Sequence, residues 1–514
     1  MAAVKRVLIV GGGAAGWLTA AYLAATLTRH RRDIEIRLVE SPEIGILGVG
    51  EGTFPSIRGT LSAIGLSEAA FMQGANATFK QGVLFANWVR PKGAGGRDAY
   101  FHPFNAPSAR PGGPELVPYW VTGAAGPERP LAQAVTLQAT VAEAFRGPKR
   151  ASDPDWVGPM NYAFHFDAVR FAAYLREEAK RLGVAHLQAT VDRVELDETG
   201  AVAQVHTREL GPLGADLFVD CTGFRSALIG EALGAPFREV RDVLFADRAV
   251  AIQVPYPRPD SPIAPYTLST AHEAGWTWDI GLTERRGVGY VYSSAHTDDG
   301  RAEAVLRDYI GPAAEPLSAR QLRFRLGFRE RQWIRNCVAV GLSGGFLEPL
   351  ESSGIGMIEA AIYLIAHLFP HDGDMEPVAR LFNSQMTARY ARIVDFLKMH
   401  YCLSQRPEPF WRDNAAAASI PDSLADQLRM WRARPPHRLD FVADLEMYPP
   451  SSWQFVLYGM EFQTDPSGLA GGFGDTATAR WEFDTLADVS RRALADLPDH
   501  RALVQSKHAE RVAA

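Results

Sequence analysis

Val7-Leu8-Ile9-Val10-Gly11-Gly12-Gly13-Ala14-Ala15-Gly16 is the stretch from which the fold is read. Val7 to Val10 is an unbroken apolar run, mostly β-branched, of the kind buried on both faces of a parallel sheet. Gly11, Gly13 and Gly16 then form GxGxxG at the passage from strand to helix. Tight turning, close phosphate approach and the helix N-terminal amides suit a pyrophosphate at such a point. Ala14 to His30 predicts an Ala-rich helix, and Ile34 to Val39 alternates as a second strand. Glu40 ends that strand about 20 residues beyond the glycines, where a carboxylate can bond a ribose hydroxyl.

Working outward, Asp167 to Leu182 has helical apolar spacing. Val191 to Leu196, Val202 to Val205 and Leu217 to Val219 read as strands returning to the first sheet. Arg248 to Val254 and Gly289 to Ser293 belong to a second sheet. Cys337 to Val340 is a buried-type strand that leads through Gly341 to Gly345 into a helix over Ser353 to Leu368. From Glu376 onward the chain reads as mostly helical and rich in Trp, whereas Pro91 to Pro130, dense in Gly and Pro, reads as long loops. No internal repeat is visible.

The 514 residues are 47% apolar, enough for a large core, which excludes disorder and small stapled scaffolds. With 53 Lys and Arg against 59 Asp and Glu, the formal charge is −6 and no long basic run occurs, so nucleic acid is not an expected partner. Cys221, Cys337 and Cys402 lie far apart without a CxxC pair, giving neither a disulfide framework nor a zinc site and fitting a reducing cytoplasm. Lys5 and Arg6 before an apolar run imitate a signal peptide, but Gly11 to Gly13 argue against one. Gly356 to Phe369 is too short to span a bilayer and carries Glu359 and His367.

Asp220-Cys221-Thr222-Gly223, after an apolar strand, resembles the second glycine-containing segment of FAD proteins with two dinucleotide-binding domains. Further motifs stand in order along the chain: Gly48-Val49-Gly50-Glu51-Gly52-Thr53, Phe79-Lys80, His102-Pro103-Phe104 and Tyr162-Ala163-Phe164-His165-Phe166-Asp167. They continue with Gly275-Trp276-Thr277-Trp278-Asp279-Ile280, Gly341-Leu342-Ser343, Glu348-Pro349-Leu350-Glu351-Ser352-Ser353-Gly354-Ile355, His400-Tyr401 and Phe410-Trp411. Through them the chain resembles the flavin-dependent tryptophan halogenase family over nearly its whole length.

The resemblance implies an α/β chain with a two-dinucleotide-binding-domain FAD fold, a second β-sheet substrate domain and a mainly helical C-terminal part. Residues 1–90 and 158–235 are expected to form the first and second FAD-binding parts, with 91–157 a loop-rich substrate-side segment. Residues 236–330 would form the substrate sheet, 331–372 the FAD- and halide-binding segment, and 373–514 a helical substrate-side region. FAD contacts are implied at Gly11, Gly13, Ala14, Ala15, Gly16, Glu40, Gly50, Leu342 and Ile355, with the backbone of Val191 at the adenine.

The implied reaction takes reduced FAD from a separate NAD(P)H flavin reductase, together with O2 and chloride or bromide. It forms hypohalous acid at the flavin and passes it to Lys80 for transfer to a small aromatic substrate. An ammonium in a confined site can hydrogen-bond the hypohalous oxygen or, as a neutral amine, carry the halogen as a haloamine. Glu351 matches the family's active-site glutamate and can stabilise a cationic ring intermediate and accept its proton. It is favoured over Glu348, because Pro349 speaks against a helix that would bring the two together. Ser353 and Gly354 open the apolar helix, where free amides can hold a halide, although Ser352 or Ser353 can instead merely cap the helix, the better reading for an isolated serine.

Trp276 and Trp278 match the tryptophan motif that fills the space beside the flavin, and Gly281 stands where the family has proline. His102, Phe104 and Trp453 are expected to line the substrate chamber, where opposed aromatic faces can hold an indole. The clamp that holds free tryptophan by its amino-acid end has no counterpart at Met447 to Ser452. Indole and simple indoles, attacked at the electron-rich C3, are therefore the expected substrates. A flavin monooxygenase and a non-catalytic flavin-binding protein are the alternatives, and Lys80 with the Trp pair speaks against the first. A homodimer is left open.

Overall fold

The computed structural model describes residues 3–28, 33–43, 45, 50–96, 98–126, 128–468 and 474–510. Gly48, Val49 and the predicted helix end at His30 lie outside them. The strand Arg6–Val10 lies at the centre of a six-stranded sheet, parallel to Glu35–Glu40 on one side and Leu217–Asp220 on the other. Ala185–Gln188 and Cys337–Ala339 extend the sheet on either side, and Trp333–Ile334 closes one edge antiparallel. Val7 to Val10 are buried, as a strand covered on both faces requires.

The helix predicted over Ala14 to His30 is α-helical only over Ala14–Leu23 and relaxes into a π-helical turn at Ala24–Thr28. Thr26 and Thr28 donate back to the carbonyls of Tyr22 and Ala24, bonds that compete with the regular ladder. The helices Ala168–Arg181, capped by Asp167, and Ser353–His367 fall where apolar spacing placed them.

Two parts of the fold differ from the sequence expectation. Val191–Leu196 and Val202–Thr207 do not return to the first sheet, for they pair antiparallel with each other and with Gly211–Gly214 as a separate three-stranded sheet. The segment read as long loops holds the strand Ala99–Pro103 and the short helices Leu116–Val121, Leu131–Val135 and Gln138–Glu143. Gly and Pro there mark the joints between short elements, too brief to show a period.

The second sheet has seven strands, in the order Ala319–Arg323, Arg248–Pro255, Arg285–Tyr292, Gly275–Gly281, Thr267–His272, Gly82–Ala86 and Ala99–Pro103. Its last two strands come from residues expected in the FAD-binding and loop segments. The chain enters this sheet directly from a smaller one, made by Gly50–Gly52, Ala163–Asp167 and Thr78–Lys80. Lys80 therefore stands at the joint between the two halves of the molecule. The long helix Glu376–Cys402 brings His400 and Tyr401 to that joint.

A buried ion pair ties the segment before this small sheet in place. Lys149 Nζ donates to Glu68 Oε2 at 2.7 Å and to the Pro154 carbonyl at 2.6 Å, and the Tyr162 hydroxyl donates to Glu68 Oε1 at 2.5 Å. Removing one partner strands the other charge without water. Lys149→Met is expected to lower stability by about 3–5 kcal/mol in denaturant titrations.

Candidate active site

The glycine fingerprint is shaped by space. A Cβ added to Gly11 would lie 2.3 Å from the Cys221 carbonyl oxygen, and one on Gly16 would lie 1.9 Å from the Gly11 oxygen. Gly11 also has φ +113°, a conformation that other residues rarely adopt. At Gly13 an added Cβ meets nothing within 4 Å, and this N-cap leaves the first amides of the helix without a side-chain partner. An open cradle of free amides beside partly buried Ala14 and Ala15 fits the pyrophosphate of a dinucleotide. Gly11→Ala is expected to cost about 1–3 kcal/mol and to weaken FAD retention, read by denaturation and cofactor titration.

Several expected cofactor residues lie near this cradle, and others have their own partners. A Cβ on Gly341 would come 2.8 Å from Ala15 Cβ, so the turn Gly341–Ser343, with half-buried Leu342, lies against the fingerprint. Ile355 is buried in the first turn of the helix Ser353–His367. Glu40 bends over Gly12 with Oε1 2.8 Å from His186 Nε2, and the Val191 carbonyl accepts from Arg225 at 3.3 Å. The Asp220 carboxylate is used within the chain, accepting from the amides of Thr222, Leu228 and Ile229. Gly50 packs against Ile280 and Gly287 of the second sheet.

Lys80 is 0% exposed, and its Nζ donates to Ser352 Oγ at 2.9 Å with the ring of Phe104 centred 5.5 Å away. Burial lowers its ammonium to about 8, against the opposing pull of the Glu351 charge. Gly52 opposite makes this placement possible, since a Cβ there would come 2.7 Å from Ser352 Oγ and 3.0 Å from Lys80 Nζ. His165, on the neighbouring strand, bonds Thr267 Oγ1 at 2.8 Å through Nε2. Burial, the Lys80 charge and His500 hold His165 far below the usual imidazole range, hence neutral.

Glu351 and Ser352 occupy two successive left-handed positions, φ +62° and +60°, which break the chain's path just before the helix Ser353–His367. Strain of this kind persists where surrounding contacts impose it. Here Glu351 Oε1 lies 2.6 Å from His102 Nδ1 and 3.1 Å from His400 Nε2. Burial would raise the Glu351 carboxyl, but the charges and hydrogen bonds of the two histidines hold it at about 2. Ser352, the N-cap of the following helix, makes no capping bond, because its hydroxyl is engaged with Lys80. The helix therefore begins with free amides around buried Ser353 and exposed Gly354, which fits an anion.

Aromatic rings surround this pair. Phe396 lies 6.0 Å from His102, 5.0 Å from His400, 5.0 Å from Trp453 and 3.9 Å from Tyr448. Trp453 is fully buried, with Trp431 and Phe441 on its other sides. Tyr100 OH, His102 Nε2 and Trp453 Nε1 are buried and bond no group among the described residues. Unsatisfied donors of this sort mark a place for a ligand or water. Sequence reasoning assigned no role to Phe396 or His400 and only a capping role to Ser352, which makes no capping bond; the motifs containing His400 and Ser352 were visible, but their partners were not.

Trp276 and Trp278 are buried on the central strand Gly275–Gly281, with their rings 6.5 Å apart. Gly281 ends this strand, where a Cβ would approach the Tyr256 hydroxyl to 2.8 Å and Ile263 Cγ2 to 2.9 Å. Tyr256 and Ile263 thus fill the room that a larger residue would need.

Among the described residues no helix is long and apolar enough to cross a membrane. The family model described as tryptophan halogenase matches residues 6–470. The chain is 37% identical to the tryptophan 6-halogenase of Streptomyces toxytricini, covering 96% of each chain, and 34% identical to the tryptophan 7-halogenase of Lentzea aerocolonigenes, covering 98% and 99%. The crystal structure of a tryptophan halogenase from Shewanella frigidimarina superposes with a TM-score of 0.93 at 38% identity, covering 98% of each chain. The chain belongs to the tryptophan halogenase family and is a flavin-dependent halogenase.

Proposed function

We propose that the enzyme uses reduced FAD, O2 and chloride or bromide to halogenate an indole-type aromatic substrate, with attack at C3 when the substrate is indole itself. One observation carries this reading: the buried amine of Lys80 bonds Ser352, and the buried carboxylate of the adjoining Glu351 lies near enough for its charge to act on that amine. When bound, reduced FAD with O2 and halide supplies hypohalous acid. Gly11, Gly13, Ala14, Ala15 and Gly16 would hold its pyrophosphate, with Glu40, Gly50, Val191, Leu342 and Ile355 around it, and the amides at Ser353 and Gly354 would hold the halide. A separate flavin reductase would deliver the cofactor by diffusion, in a cytoplasmic setting.

Lys80 donates a hydrogen bond to the hypohalous oxygen and so makes the halogen electrophilic. Phe104, His102 and Trp453 with its neighbour Phe396 hold the flat substrate, and Glu351 faces the cationic ring and takes its proton. Indole is favoured over free tryptophan by the missing clamp at Met447 to Ser452, where Tyr448 is buried with its ring stacked on Phe396 and edge-on to Phe54.

The test incubates enzyme, FAD, reductase, NADH and bromide under air with indole, tryptophan and an indole-containing peptide, read by mass spectrometry and NMR. A bromine isotope doublet with indole, located at C3, is expected. A product containing oxygen and no bromine would replace this reading by a monooxygenase, and faster turnover of tryptophan at its benzo ring would replace the substrate assignment.

A further inference from the structure

Glu348 lies three residues before Glu351. It is fully buried, and its Oε2 accepts from the Tyr401 hydroxyl at 2.5 Å and from Trp276 Nε1 at 3.3 Å. Its Oε1 bonds no group among the described residues. Consecutive residues of the helix Glu376–Cys402 therefore grip both acids of one turn, His400 holding Glu351 and Tyr401 holding Glu348. Trp88 packs behind this arrangement, its ring 6.2 Å from Trp276 and 5.3 Å from Tyr401. A carboxyl in an apolar core is costly, so a group kept there needs a reason beyond packing. Trp276 Nε1 donates to Glu348 and also bonds the Tyr401 hydroxyl, which Glu348 itself holds, so the acid and its phenol together set the orientation of the indole about its side-chain torsions.

We propose that Glu348 is a positioning residue which, through its bond to Trp276 Nε1, fixes the wall between the flavin and the substrate and so keeps hypohalous acid on its way to Lys80. This rests on the reading above that places Trp276 beside the flavin. A loosened wall lets the oxidant escape or meet water, which lowers the halogenated product formed per reduced flavin consumed without altering FAD affinity.

The test measures that ratio with indole and bromide, alongside FAD affinity and melting temperature, for the native enzyme, Glu348→Gln, Glu348→Leu and Trp276→Phe. Glu348→Gln keeps an oxygen acceptor and should couple within a factor of about two of native. Glu348→Leu and Trp276→Phe should each lose about fivefold, the factor expected for one hydrogen bond, and the double variant should lose no more than either alone. Trp276→Phe keeps the acid and removes only the donor, so it decides the matter should Glu348→Leu not fold. Native coupling in Trp276→Phe, or additive losses in the double variant, would overturn the proposal. A native enzyme that brominates nothing would instead overturn the functional reading on which it rests.

Discussion

Lys80→Met is expected to abolish halogenation, by at least about 10²- to 10³-fold, the loss found when a single buried donor to a developing charge is removed. Folding and FAD binding should survive. The side chain is buried at the end of the strand Thr78–Lys80, and methionine fills similar space without the charge. The sign of the stability change follows from the lowered ammonium. The unfolded chain holds that proton up to about pH 10.5, the folded chain only to about 8, so the charge opposes folding at neutral pH and ceases to do so above 10.5. Lys80→Met should therefore melt no lower than native at pH 7. In the native enzyme the rate should fall above about pH 8 as the ammonium is lost. A rate that instead rises through pH 8 would assign transfer to the neutral amine, as a haloamine.

Glu351→Gln is expected to lower the rate by about 10²-fold or more with FAD affinity unchanged, since proton acceptance from the ring cation is lost. The carboxyl, held at about 2 instead of its ordinary 4.5, is ionised throughout the neutral and mildly acidic range. Its stabilising contact with His102 and His400 is thus present at pH 7 and lost only as the pH falls toward 2. The variant carries a second signature. The Glu351 charge supports the Lys80 ammonium, so its removal should shift the basic fall in rate to below about pH 8. An unchanged pH profile together with an unchanged rate would remove Glu351 from the site.

These two residues differ in how far the sequence could describe them. Phe79-Lys80 and the Glu348 to Ile355 motif were visible as short strings and pointed to an amine and a carboxylate. Their link through Ser352, separated from Lys80 by 272 residues, was not, because the strand holding Lys80 and the turn holding Ser352 carry no mutual mark in composition or period. Pro349 correctly argued against a helix through that turn, yet the use of left-handed backbone at Glu351 and Ser352 follows from contacts with His102, His400 and Lys80, all remote in sequence. Likewise the sequence favoured Glu351 over Glu348 but did not show that the two receive opposite environments. One lies against an indole and a phenol and is raised by burial to about 7; the other is held low by two histidines.

By itself the sequence determined the strand, glycine turn and helix at the start of the chain, the helices opening at Ala168 and Ser353, the strand at Cys337 and the helical C-terminal part. Each is set by apolar period, small residues and breakers within about a dozen positions, and such local preferences act before distant segments meet. Only the tertiary structure decided that Gly82–Ala86 and Ala99–Pro103 join the second sheet, that Val191–Leu196 leaves the first, and that Lys80, Ser352, Glu351, His102 and His400 share one buried volume. Strand partners and the charges of buried groups depend on which surfaces exclude water together, and that is a property of the assembled molecule.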